Sequence, residues 1–230
     1  MNKGLSAIIA TGLMLVGGTA YAHIEIEGAG TANASNLTTF NVGHGCEGLD
    51  TFSVTITIPP NITSVRAVPS GPFVPTVVKD AAGAVTSVKF EKAESSIATG
   101  DPNFYPLQVR FKTPDAPFTT VYFPTTQVCR DAAGTNVKTT DWVATTPSAT
   151  EDGPEPAPAL FLLPAHSAGW NKFTVPVALT DLSVFDDAQI VWAGNAVYSS
   201  NATTKDLIGK EPNTTALTTI AAGTEIWVKY

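Results

Sequence analysis

Residues 51–58 read Thr-Phe-Ser-Val-Thr-Ile-Thr-Ile, and this stretch decides the fold class. Its apolar side chains recur at every second residue, from Phe52 to Ile58, and hydroxyl side chains occupy most of the positions between them. A period of two predicts a β-strand with one buried face, because successive side chains of a strand point to opposite faces. Pro59 and Pro60 end the strand, since proline has no N–H to donate to a neighbouring strand.

The same alternation continues along most of the chain. Gly and Pro separate the short alternating segments, which is typical of an all-β sandwich. Only 182–188 and 203–208 have room for a turn or two of helix. The other predicted strands are 74–78, 84–90, 107–112, 119–123, 173–179, 188–192 and 225–229, and the predicted core contains Phe52, Val54, Ile56, Ile58, Val109, Phe111, Val121 and Phe123.

The N-terminus predicts export. Lys3 precedes an apolar run over 7–16, and Ala20-Tyr21-Ala22 places small residues where a signal peptidase cuts. The alternative is a membrane anchor, but a spanning helix needs about 20 apolar residues and this run is shorter. We therefore expect residues 1–22 to be a signal peptide cleaved after Ala22, and the protein to be periplasmic or secreted.

Composition and cysteine content narrow the class of protein. Twenty acidic and 13 basic residues give a net charge of −7, which argues against nucleic acid or an anionic membrane as partner. No segment after the signal is long and apolar enough to span a bilayer, so an integral membrane protein is not expected.

Cys46 and Cys129 are predicted to form one disulfide in an oxidising compartment. Their alternative role is a pair of copper-binding thiolates.

The chain divides into three predicted regions. After the signal peptide, 23–163 is expected to form one β-sandwich domain. The acidic, proline-rich stretch 151–158 is predicted to be an extended connector without secondary structure. Residues 164–230 are expected to be a C-terminal β extension packed on the same domain, with its apolar last strand docked in a sheet.

His23 is the residue that suggests chemistry. Cleavage after Ala22 would free its α-amine, and the amine and imidazole Nδ1 together close a six-membered chelate ring on a metal. Neutral nitrogen donors suit Cu(II), which also heads the divalent affinity order. The alternative is that histidine follows the cleavage site by chance.

Other side chains are candidates for completing such a site. Glu25 and Glu27 share a side of the chain with His23 if the segment is a strand. They have the alternative role of a polar outer face. His44, in Gly-His-Gly-Cys, and His166 are each able to serve as a second histidine, although a lone histidine is more often a surface or structural residue.

Several motifs together resemble the YcnI-like family of exported bacterial copper-binding proteins. They begin with Ala-His-Ile-Glu at 22–25 and His-Gly-Cys-Glu-Gly at 44–48. They continue with Ile-Pro at 58–59 and Tyr-Phe-Pro-Thr-Thr-Gln-Val-Cys at 122–129. Asp141-Trp142 and Pro-Ala-Pro at 156–158 follow in the family's order, so the resemblance covers roughly residues 23–163.

The resemblance implies an immunoglobulin- or cupredoxin-like sandwich that binds Cu(II) through one N-terminal histidine, with a carboxylate and a tryptophan close by. Carried over position by position, His23 is the chelating residue and Trp142 the tryptophan. The position that aligns with the family's glutamate is Asn36 here. Glu25, Glu27 and Asp141 therefore remain candidates for the carboxylate.

Three functions follow as hypotheses. The leading one is a non-catalytic protein that buffers, transports or delivers copper, with another envelope copper protein as a possible partner. The second is a copper-dependent enzyme of the polysaccharide monooxygenase type, which needs a second histidine. The third is an envelope interaction module whose N-terminal histidine has no metal role.

Overall fold

The structure, a computed structural model, describes residues 24–146 and 154–230. The predicted signal peptide, His23 and residues 147–153 lie outside the described residues. The elements of the first part are β1 (Ile24–Ile26), β2 (Gly30–Thr31), β3 (Ser35–Val42), β4 (Asp50–Thr57), β5 (Thr63–Val68), β6 (Phe73–Lys79), β7 (Val85–Lys92), a 3₁₀ helix (Glu94–Ser96), β8 (Tyr105–Lys112), β9 (Thr119–Tyr122), β10 (Thr125–Arg130), β11 (Val137–Ala144), β12 (Glu155–Pro156) and β13 (Ala159–Leu163).

The C-terminal part continues the β architecture and adds the one α-helix of the described ranges. Its elements are β14 (Trp170–Val175), a 3₁₀ helix (Ser183–Phe185), β15 (Ile190–Ala193), β16 (Ala196–Tyr198), α1 (Ala202–Ile208), β17 (Thr215–Ala216) and β18 (Thr224–Lys229). No helix in the described part of the chain is long and apolar enough to cross a bilayer.

Two sheets share the first core and make the sandwich. A four-stranded sheet has the order β1-β3-β8-β5, and a six-stranded sheet has the order β12-β11-β10-β4-β7-β6. Phe123 lies two residues before β10 of the six-stranded sheet, and its ring centroid is 5.3 Å from those of Phe40 and Phe111 in the four-stranded sheet, so it packs between the two sheets. A three-stranded sheet, β2-β13-β9, adds Leu160 and Leu162 to the same core. The predicted all-β sandwich is confirmed.

Seven of the eight predicted core residues are buried, and the prediction for Phe52 is wrong. Along β4 the partner in β10 shifts from Val128 opposite Ser53 to Cys129 opposite Thr51, so Phe52 is skipped. A bulge of this kind reverses the side to which the extra residue points. Phe52 is therefore only half-buried, and the Arg130 guanidinium lies 3.7 Å from its ring centroid.

β10 was not predicted because its buried residues are Thr125, Gln127 and Cys129, so no apolar alternation marks the strand. The strands β2, β3, β5, β11, β13, β16 and β17 were not predicted either, although the buried residues of β5, β11 and β13 are apolar. The predicted strand 173–179 ends early, at Val175, because Pro176 follows and has no N–H to donate. The prediction that 151–158 lacks secondary structure is wrong for its described residues, 154–158, because β12 lies there and pairs parallel with β11.

The C-terminal part has a second core of its own. Its five-stranded sheet has the order β14-β18-β15-β16-β17. The cluster behind this sheet includes Val175, Val191 and Val228 and also takes in Phe118 and Leu163 of the first part. The two predicted helical turns are confirmed as the 3₁₀ helix at Ser183–Phe185 and as α1.

Candidate functional site

The chain is fixed immediately after His23. Ile24 is only 2% exposed, and it pairs with Val42 at the end of β3, so β1 is held at the edge of the four-stranded sheet. Glu25 points to the opposite side, is exposed, and lies across from Asn41. Glu27 is exposed and lies just beyond the end of β1. It lines a groove of about 250 Å³ together with Asn41. Glu25 thus lies closer along the chain to His23 than Glu27 does.

The loop that follows β3 is a tightly held turn. Cys46 N–H donates to the Leu49 carbonyl at 3.1 Å, and Leu49 N–H donates back at 2.9 Å. Glu47 and Gly48 both have positive φ, of 49° and 77°, which is the pattern of a type I′ turn. Gly45 is required before the turn, since a Cβ atom there would lie 1.8 Å from the Leu49 carbonyl oxygen.

The predicted disulfide is confirmed and it fastens this loop to β10. Cys46 and Cys129 are bonded with their Cα atoms 5.6 Å apart and 83 residues apart in sequence. Cys129 is fully buried and Cys46 nearly so. Copper binding by these two thiolates is therefore excluded in this state of the protein.

His44 stands in this loop with one ring nitrogen available. Its Nδ1 lies 2.5 Å from the Gly45 carbonyl oxygen. A carbonyl only accepts hydrogen bonds, so this contact favours the tautomer with the proton on Nδ1 and leaves the Nε2 lone pair free for a ligand. Asp101 Oδ2 is 3.6 Å from Nδ1, and the imidazole is nearly half exposed. Such a carboxylate beside a histidine is a common outer partner of a metal ligand.

Trp142 is buried beneath the same loop and is linked to it through Gln127. The indole Nε1 donates to Gln127 Oε1 at 3.2 Å. Gln127 Nε2 donates in turn to the His44 carbonyl oxygen and to Thr51 Oγ1, each at 2.9 Å. Gln127 is 1% exposed, so its amide is a buried bridge between the indole and the His44 loop. Gln127 belongs to the recognised 122–129 motif, but sequence reasoning assigned it no role.

The remaining candidates lie elsewhere. Asp141 is exposed on the side of β11 opposite to Trp142, and it accepts a hydrogen bond from Thr126 Oγ1 at 2.7 Å. The Asn36 side chain is engaged by Thr31 and Thr113. His166 stacks on Tyr230 with a centroid distance of 3.5 Å. Across residues 24–146 and 154–230, no three His, Cys, Asp or Glu side chains are arranged to hold a metal ion.

A buried ionic cluster supports the end of the His44 loop. Lys92 Nζ donates to Asp50 Oδ2 at 2.5 Å and to the Tyr105 hydroxyl at 2.8 Å, while that hydroxyl donates to Asp50 Oδ1 at 2.8 Å. Burial and the hydrogen bond to Asp50 raise the pKa of Tyr105 to about 12. Asp50 follows Leu49 directly, and Tyr105 pairs with Val42, so the cluster holds both ends of the loop.

Comparison with known proteins agrees with the fold and shows the family. The fold class is an immunoglobulin-like β-sandwich, which is also the fold reported for an uncharacterized protein from Nocardia farcinica. That structure covers 62% of this chain and 99% of its own, with 22% identity and a TM-score of 0.52. The family described as "Domain of unknown function (DUF1775)", the domain of the YcnI-like family, matches residues 23–162, and the chain belongs to it. Among curated proteins there is no match.

Proposed function

We propose that this chain is an exported Cu(II)-binding protein that buffers, transports or delivers copper outside the cytoplasm. Its site is built on the amine and imidazole of His23 after residues 1–22 are removed. Family membership supports this proposal, because the family match begins at His23. Copper is the cargo, and the chain performs no chemistry on it.

The observation that carries the proposal is the anchoring of Ile24. This residue is buried and is paired with Val42, and Val42 leads into the disulfide-fastened loop that holds His44. The backbone next to the proposed chelate is therefore rigid. A rigid backbone lowers the entropy that ligands lose when they are arranged around a metal, so binding is tighter than in a frayed terminus.

Each nearby residue has a proposed role. The His23 amine and imidazole supply two neutral nitrogen donors, which suit Cu(II). Glu25 is exposed one residue beyond Ile24 and is our choice for the carboxylate. Asp141 is the weaker choice, because it faces away from Trp142 and is engaged by Thr126. Trp142 is proposed to lie against the site, with Gln127 fixing the position of its indole.

One observation favours the second candidate function, the copper-dependent monooxygenase type of enzyme. Such a site needs a second histidine, and the free Nε2 of His44 lies in the loop that begins just after Val42, the partner of Ile24. His166 has no comparable support, since it stacks on Tyr230 in the C-terminal part. The two functions therefore differ in whether His44 binds the metal.

Calorimetric titration with Cu(II) tests the site. The protein starting at His23 is expected to bind one Cu(II), and the same protein with one alanine added before His23 is expected to bind at least about 100-fold more weakly, because the amine becomes an amide. His23→Ala should lose tight binding, while His166→Ala is the matched control and should not, because His166 stacks on Tyr230 in the C-terminal part. Equal affinity of the extended and unextended proteins would refute the N-terminal chelate.

Two further variants separate the candidates. His44→Ala should leave the affinity within a few-fold if one histidine suffices. A large loss, with a changed number of coordinated nitrogens in the Cu(II) electron paramagnetic resonance spectrum, would favour the two-histidine site. Trp142→Phe should remove most of the fluorescence quenching by Cu(II) and keep the binding, if the indole lies near the metal.

A further inference from the structure

The outer face of the five-stranded sheet carries three of the chain's four tryptophans. Trp170 and Lys172 point outward from β14, and in β18 Trp227 lies directly opposite Lys172. Trp192 of β15 lies directly opposite Trp227 on its other side. The alternate residues of these strands, among them Val175, Val191, Ile226 and Val228, point inward and form the second core.

Two of these indoles are open to solvent. Trp170 is 52% exposed and Trp227 is 45% exposed, while Trp192 is partly buried. Large aromatic side chains are usually buried, since each can remove 150–250 Å² from water. Neighbouring exposed aromatic side chains on a regular sheet therefore indicate a surface that binds something.

Charged side chains surround the rings in fixed positions. Lys172 Nζ lies 5.6 Å from the Trp227 ring centroid and 2.6 Å from Glu225 Oε2. Lys229 is opposite Trp170 in the register of the sheet. A hydrogen-bond donor, Lys172 Nζ, thus stands over the Trp227 ring with the Glu225 carboxylate beside it, and the Lys172–Glu225 pair largely balances the charge of this face.

The size of the face limits what can cover it. About half of each exposed indole amounts to roughly 100 Å² per ring, whereas a stable dimer buries about 800 Å² per partner. The two exposed indoles therefore supply only a small part of the area that a second copy would need to bury. An anionic bilayer surface is also a poor partner, because attachment there depends on clusters of basic residues and this face includes Glu225.

We infer that this face binds a β-1,4-linked glycan chain, with sugar rings stacked on Trp170 and Trp227. A sugar ring has an apolar C–H face and polar hydroxyls at its edge. Stacked on Trp227, it takes the place of the Lys172 ammonium over the indole, and its hydroxyls are then in reach of Lys172 and Glu225. Trp170 and Trp227 are diagonal neighbours on the adjacent strands β14 and β18, so their positions lie about 7–8 Å apart, within the length of a disaccharide. A β-1,4 chain is flat and extended, so consecutive rings reach both indoles, whereas an α-1,4 chain curls away.

Nuclear magnetic resonance tests this binding with a control inside the protein. In the nitrogen-15-labelled protein, adding cellohexaose or chitohexaose should shift the indole N–H signals of Trp170 and Trp227. The signal of Trp142, buried in the first core, should not move. Maltohexaose, which is α-1,4-linked, should shift none of them. If neither β-linked hexaose moves the Trp170 and Trp227 signals, the inference is wrong.

Variants identify the face and exclude the other occupants. Trp227→Ala and Trp170→Ala should each weaken hexaose binding by about tenfold or more. Val74→Ala removes a 69% exposed apolar side chain from another sheet and should leave binding unchanged. Shifts at Trp170 and Trp227 that follow protein concentration without sugar would overturn the inference in favour of a dimer. Shifts induced by phospholipid vesicles and not by hexaose would overturn it in favour of a membrane surface.

Discussion

Replacing Lys92 by methionine removes the central charge of the buried cluster and nearly preserves the side-chain volume. In the native protein, Lys92 and Asp50 are both fully buried, and Lys92 Nζ also lies 4.5 Å from the Tyr105 ring centroid. In the variant, Asp50 keeps its hydrogen bonds from Tyr105 and from Ala98 N–H, at 2.8 and 2.6 Å. Asp50 loses the Lys92 ammonium, which supplies the positive charge among its contacts, so its carboxylate remains buried without a counter-charge.

The expected cost is large compared with the stability of a typical domain. Breaking a buried ion pair by removing one partner costs about 3–5 kcal/mol, against a total free energy of unfolding of about 5–15 kcal/mol. For a chain of this size that cost corresponds to a fall in Tm of about 6–20 °C. Because the cluster holds Val42 and Asp50, at the two ends of the His44 loop, the affinity of the proposed site for Cu(II) should also fall.

Urea unfolding followed by circular dichroism measures the effect, and a double-mutant cycle isolates its cause. The double variant Lys92→Met with Asp50→Asn should be much more stable than the sum of the two single losses predicts, because it leaves no uncompensated charge. A loss under about 1 kcal/mol for Lys92→Met, or simple additivity in the cycle, would refute the ion-pair reasoning.

Two further predictions concern the same region. The double variant Cys46→Ser with Cys129→Ser should lower the free energy of unfolding by about 4–5 kcal/mol, since the bond closes a long loop; a loss under about 1 kcal/mol by urea unfolding would contradict this. The raised pKa of Tyr105, about 12 against an ordinary value near 10, means that the folded state retains its proton longer than the unfolded chain. The neutral Tyr105 hydroxyl therefore adds to the free energy of unfolding in full below about pH 10, and this stabilisation is lost as the pH rises through about 12. Unfolding at about pH 9 and about pH 11 should show the decline in the native protein and a smaller decline in Tyr105→Phe; equal declines would count against it.

The sequence predicted those features that depend on local pattern or on composition. The alternation in 51–58 identified β4 and placed Val54 and Ile56 in the core, because an apolar side chain at every second position can be buried only in a strand. The disulfide could be predicted because the sequence predicts export and its two cysteines have one possible pairing. The family motifs drew attention to His23 and Trp142 but carried no information about what links Trp142 to the His44 loop.

The tertiary structure alone decided the register and the order of strands that are distant in sequence. Phe52 leaves the core because of a register shift against β10, and Lys92 is buried because Asp50 and Tyr105 meet it there. The shared face of Trp170, Trp192 and Trp227 depends on β18 lying between β14 and β15, an order that the chain does not follow. Local sequence sets which way a side chain points within its own strand, but register and strand order are set by the packing of the whole core, so only the folded chain determines them.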